Sequence, residues 1–145
     1  MEDHYRYEYK ETPLSKAVLG SLFAGIIATV LNLIYNYIYR DITGYTFLGV
    51  FTVYTIILFS IVFCMAAGII YFLLKKNFQG GKFVYVVLFI ALTLVGLFLH
   101  INFTVTVGKP GPTGVHGLTM GIDIITGCVI AFLVPYMAEH PKIWR

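Results

Sequence analysis

HGLTMGIDIITGCVIAFLVP, residues His116–Pro135, is apolar and continuous enough to cross a bilayer. Spanning ~30 Å of hydrocarbon takes about 20 such residues in a helix. The run nevertheless holds a carboxylate, Asp123, near its beginning. An acid inside a span costs about 2.5–3.5 kcal/mol on insertion scales, so it faces protein or water rather than lipid. His116 lies two helical turns earlier and therefore points to the same face. Gly117 and Gly121 form a small-xxx-small ridge at which another helix can approach closely.

Working outward, three more runs of the same kind precede it. The four predicted spans are about Ala17–Tyr39, Val50–Leu74, Phe83–Leu99 and Leu118–Tyr136. The chain has 145 residues, 59% hydrophobic and 12% charged, with a mean hydropathy of +0.84. Soluble domains carry about 25% charged residues. The expected fold is therefore an all-α integral membrane protein, an antiparallel four-transmembrane-helix bundle forming a single membrane domain over 1–145. Residues 1–16 form a polar, tyrosine-rich tail. The first apolar run exceeds the length of a signal-peptide core and no small-residue cleavage site follows, so it is expected to remain as an anchor.

The basic residues set the expected orientation. Arg6, Lys10 and Lys16 precede span one, Lys75, Lys76 and Lys82 surround the middle loop, and Lys142 and Arg145 end the chain. The two other loops hold only Arg40 and Lys109. The positive-inside rule then puts both termini and the middle loop in the cytoplasm. Tyr35, Tyr37, Tyr39 and Tyr45 suit one membrane border, and Tyr71, Tyr85, Tyr136 and Trp144 the other. The net charge of +3 is scattered over helix flanks, which excludes a nucleic-acid surface in favour of membrane contact.

Polar residues inside the spans are the candidates for function. Asn32 and Asn36 share one face of span one, where amides hydrogen-bond between helices. Thr52, Thr55 and Ser60 in span two are expected to bond back to their own backbone. Cys64 and Gly68 offer a thin packing face, and Cys64 and Cys128 read as packing residues without metal-ligand spacing. The loop KKNFQGGK turns at Gly80–Gly81 and lacks a phosphate-loop pattern. Span three ends at His100 and Asn102, followed by NFTVTV, which suits either an extended segment or more helix. KPGPTG beyond it is expected to form a turn or lid. Sorted by depth, Asn32, Asn36, Thr52, Thr55, His100, Asn102, His116 and Asp123 all fall toward the outer side, above an apolar floor. A path through one chain needs polar lining across the whole thickness, so this distribution disfavours a simple channel.

Three uses follow for the cluster of His100, His116, Asp123, Asn32 and Asn36. The first is structural, with Gly117 and Gly121 as packing positions, and makes the protein a non-catalytic subunit or scaffold of a larger membrane complex. The second is an outward-facing site for a small solute, ion or proton in an oligomer, since His beside a carboxylate titrates near neutrality. The third is a membrane redox protein, with His100, His116 and Asp123 holding a divalent metal or His100 and His116 a haem. No sequence-close metal motif is present, so no cofactor and no enzymatic activity are expected. The partners expected are the lipid bilayer and other membrane subunits, or further copies of the chain. The opening of the last span, His116, Gly117, Leu118 and Gly121, resembles that of small four-span bacterial inner-membrane families of uncharacterised function. The resemblance implies a multi-pass protein of the inner (plasma) membrane.

Overall fold

The computed structural model describes residues 12–44, 52–106 and 115–143, and the side chains within them except those of 100–106 and 115. Nearly all of these residues are helical, and among them α2 and α3 are joined by a short turn. The helices are α1 (Pro13–Thr43), α2 (Val53–Asn77), α3 (Gly81–Thr106), α4 (Val115–Cys128) and α5 (Val134–Glu139). A π-helical turn, Val129–Leu133, joins α4 to α5 without a break, and a 3-10 turn, Pro141–Ile143, follows. Four of the resulting rods are long and apolar enough to cross a membrane: Pro13–Thr43, Val53–Asn77, Gly81–Leu99 and His116–Glu139. The chain thus fits a multi-pass membrane protein. α1, α3 and the last rod extend past the predicted apolar runs at both ends, because their flanks continue the helical hydrogen bonding, whereas α2 begins at Val53, inside its predicted run. NFTVTV resolves as helix as far as Thr106.

Local chemistry explains the ends. Pro13 occupies the first turn of α1, where its missing N–H would be unpaired anyway. Thr12 caps that turn, its Oγ1 accepting from the Ser15 amide at 3.2 Å. Gly44 ends α1 in the left-handed conformation, φ 64°. Between α2 and α3, Gly80 adopts φ 89°. At Gly81 a Cβ would run into the Leu74 carbonyl, so this turn requires glycine twice.

Packing between α1 and α2 is built on small residues. Ala17, Gly20, Ser21, Ala24, Gly25, Ala28, Thr29 and Asn32 are buried along one face of α1. Ser60, Cys64, Ala67 and Gly68 face them from α2. A Cβ on Gly25 would lie 3.1 Å from the Ile61 Cα and 3.2 Å from the Cys64 Cβ, and one on Gly68 would overlap the Ser21 side chain. Hydrocarbon provides no hydrophobic drive between helices, so such close approach supplies the association through dispersion contacts. Contacts between α1 and α2 run in opposite numerical order: Ser21 meets Gly68 while Gly25 meets Ile61. Against the last span, Gly20 meets Met137 and Ala138 while Gly121 meets Tyr35.

The π turn has a specific cause and a specific partner. The Val134 amide bonds back five residues to the Val129 carbonyl. In that register the next amide, at Pro135, would serve Ile130, but proline has no N–H. The Ile130 carbonyl instead accepts from the Tyr85 hydroxyl of α3 at 2.9 Å, within a fully buried ring site. Tyr85 packs edge-on against Tyr71, centroids 5.2 Å apart, and against Phe89 at 4.6 Å. One tyrosine thus completes the helix that proline interrupts.

Candidate functional site

Asn32 on α1 is fully buried, with 0% exposure. Its Nδ2 donates to Ser60 Oγ at 3.0 Å and to Thr126 Oγ1 at 2.8 Å. One amide on α1 thereby joins α2 and α4 near the middle of the bundle. Ser60 does not bond back to its own helix as the sequence suggests; it accepts from Asn32. Thr55 does bond back, to the Thr52 carbonyl at 2.8 Å. Asn32 Oδ1 meets no partner among the described residues, so the amide holds two helices with one of its atoms and leaves the other unsatisfied.

Asn36, one turn further, is also buried but has a different use. Its Oδ1 accepts from Arg40 Nε at 2.9 Å within the same helix. The two asparagines share a face and divide their work, one between helices and one along a helix.

Gly117 and Gly121 lie against tyrosine rings of α1. Tyr35 donates to the Gly117 carbonyl at 2.7 Å. A Cβ on Gly121 would overlap the Tyr35 ring, and one on Gly117 the Tyr39 hydroxyl. What these glycines admit is a pair of aromatic side chains rather than a bare helix backbone. His116 sits at the start of α4, its carbonyl accepting from Thr119 Oγ1 at 3.0 Å. The His100 backbone belongs to α3, and its side chain, like that of Asn102, lies outside the described residues. So do Lys109 and the KPGPTG segment.

Asp123 lines a cavity of about 500 Å³ between α2, α3 and α4. Phe59, Phe63, Phe89, Leu92, Ile122 and Ile130 make its walls largely apolar. Ser60 and Thr126, the two acceptors from Asn32, also belong to its wall. His116 is not among the lining residues. The structure therefore brings Asp123 together with the Asn32 network at one cavity and leaves His116 nearer the α4 terminus. Among the described residues no three His, Cys, Asp or Glu side chains gather in a metal-holding group.

A second polar cluster occupies the end where α2, α3 and α5 meet. Glu139 accepts from Lys82 Nζ at 2.6 Å, from Lys75 Nζ at 3.2 Å and from the Tyr71 hydroxyl at 2.9 Å. The Lys75 ammonium also lies 5.6 Å from the Tyr71 ring centre. This cluster, which we call the lysine end, ties three helices by one carboxylate. The sequence marks Lys75 and Lys82 only by their place around the middle loop. Its one signal of the cluster is a lone acid just past a span, opposite those lysines.

No family model, curated protein or solved structure matches the chain, so the residues themselves carry any functional argument.

Proposed function

We propose that the chain is a non-catalytic subunit or scaffold of a larger membrane assembly. In this reading it is an antiparallel four-span bundle in a bacterial inner membrane, with both termini cytoplasmic. The observation that supports an assembly role is the bareness of α3. Its Gly81–Leu99 span is only 6% buried within the chain, against 44% for α1 and 33% for α2 and the last span. A helix apolar on all sides requires lipid or another protein around it, and most of α3 is left to such neighbours.

The remaining polar chemistry supports a structural rather than a reactive role. Asn32, Ser60, Thr126, Tyr35, Tyr85 and Glu139 each hydrogen-bond between helices. The opposite order of contacts along neighbouring helices favours the antiparallel arrangement. Lys16, Lys75, Lys76 and Lys82 gather at the helix ends on one side, which favours placing that side in the cytoplasm.

The test is extraction in a mild detergent followed by mass measurement of the purified particle. The expected result is a stoichiometric assembly well above the 16.3 kDa of one chain. A photo-crosslinker at Leu94, 61% exposed on α3, should then label a protein neighbour. A homogeneous monomer, crosslinked only to lipid, would overturn the proposal.

A further inference from the structure

We propose that the cavity between α2, α3 and α4 binds a lipophilic organic cation, an amine or quaternary centre carried on an apolar body, with Asp123 as its counter-ion. The inference goes beyond the assembly role and does not depend on it.

Size and shape come first. At about 500 Å³ the space falls within the roughly 300–1,000 Å³ of small-molecule sites. The rim residues Phe59, Phe63 and Leu92 are 54%, 53% and 52% exposed, so the mouth lies on the flank of the bundle. A ligand concentrated in hydrocarbon would enter there directly. Gly96 lines the same space, and a Cβ built on it meets nothing within 4 Å. The space at that point belongs to the site and is not taken up by packing.

Charge and polarity then choose the class. Asp123 is the one acid among the lining residues. A carboxylate offers about four acceptor positions, enough for contacts within the protein and a ligand together. In apolar surroundings it attracts a cation strongly and repels an anion, and the bound cation in turn holds it ionised. Phe59, Phe63 and Phe89 present aromatic rings to the same space, and Phe59 and Phe63 are stacked at 5.6 Å. Ring faces favour cations further. Thr93 and Thr55 are spent on their own backbones, donating to the Phe89 and Thr52 carbonyls at 2.8 Å each. Thr126 accepts from Asn32 and keeps its own proton to offer. An oxygen on the ligand body, an ether or carbonyl, would satisfy it. A bare metal ion fits poorly, since such ions take several oxygen ligands at short range, and these walls are mostly carbon.

The experiment uses the full chain in lipid nanodiscs, with empty nanodiscs as the blank. Tetraphenylphosphonium and tetraphenylborate serve as probes of the same shape and opposite charge. Saturable binding of the cation at one site per chain is expected, with none for the anion. Asp123→Asn should weaken cation binding about tenfold or more, while Asp123→Glu should retain it. Gly96→Phe, which fills the cavity from α3 and leaves the acid untouched, should abolish binding. It answers the question if Asp123→Asn fails to fold. Equal binding of the two probes, or cation binding unchanged in Asp123→Asn and in Gly96→Phe, would overturn the proposal in favour of a cavity that holds only acyl chains. Absence of saturable binding would overturn it outright.

Discussion

α1 and α3 are nearly equal in hydropathy, 2.2 and 2.5 over their most apolar windows, yet 44% of one and 6% of the other are buried within the chain. Hydrocarbon and protein interior are alike to an apolar side chain, so hydropathy cannot distinguish a helix that faces neighbours from one that faces lipid. Residue size and polarity do. α1 presents alanine, glycine, serine and asparagine on one face, and α2 and the last span close on it. α3 presents Leu92, Leu94, Val95, Phe98 and Leu99 outward and touches its neighbours mainly through Tyr85, Phe89 and Thr93. Affinity between helices here follows what is absent from a side chain as much as what is present.

The comparison can be broken most sharply at two glycines. Gly68→Val would force methyls into the Ser21 side chain and the Ala17 carbonyl. It should cost about 3 kcal/mol, the upper end of the usual overpacking range, read as a loss of stability in detergent-titration unfolding. Gly96→Val on α3 meets open space and should change stability by less than about 0.5 kcal/mol. Similar losses at both positions would mean that α3 is as closely held as α1.

Next in size is Asn32→Ala. It removes both interhelical bonds of a fully buried amide, and the expected loss is about 1–2 kcal/mol. Asn36→Ala, which removes a bond internal to α1, should cost clearly less; the reverse ranking would deny Asn32 its bridging role. Tyr85→Phe keeps the ring packing and deletes the donor to the Ile130 carbonyl. A decrease of about 1 kcal/mol is expected, with local loosening of amides 129–134 visible in hydrogen exchange. Smallest is Glu139→Gln. Lys75 and Lys82 are about half exposed in their side chains, 55% and 54%, so solvent screens the pairs. Under about 1 kcal/mol should be lost, and the difference from the parent should shrink as salt is raised.

Number, length and position of the four apolar helices were legible because a bilayer demands a long unbroken apolar run and little else does. Ends were legible where chemistry is local, as at the Gly80–Gly81 turn. The significance of Gly117 and Gly121 was half legible. Their spacing announces close approach, but only the structure shows that Tyr35 and Tyr39 fill it. Partners separated widely in the chain were not legible. Nothing local to Asn32 names Ser60 or Thr126 as its acceptors, and nothing local to Glu139 names Lys82. The alternatives at each site, back-bonding or bridging, differ only in which helix happens to lie opposite. Likewise Pro135 signals an interruption, while its resolution depends on a tyrosine fifty residues earlier in the sequence.

The π turn at Val129–Leu133 has a consequence for how the gene can change. Each helical residue advances the direction of a side chain by about 100°, and a π turn amounts to one extra residue accommodated without unwinding. Removing one residue there would return the segment to α-helical register, with Asp123 and Thr126 still toward the cavity and Glu139 still beside the lysines. A deletion in an α-helical turn on either side has no extra residue to absorb it and would turn one of these groups away by about 100°. A one-codon deletion in this short stretch should therefore be better tolerated than one elsewhere in the span.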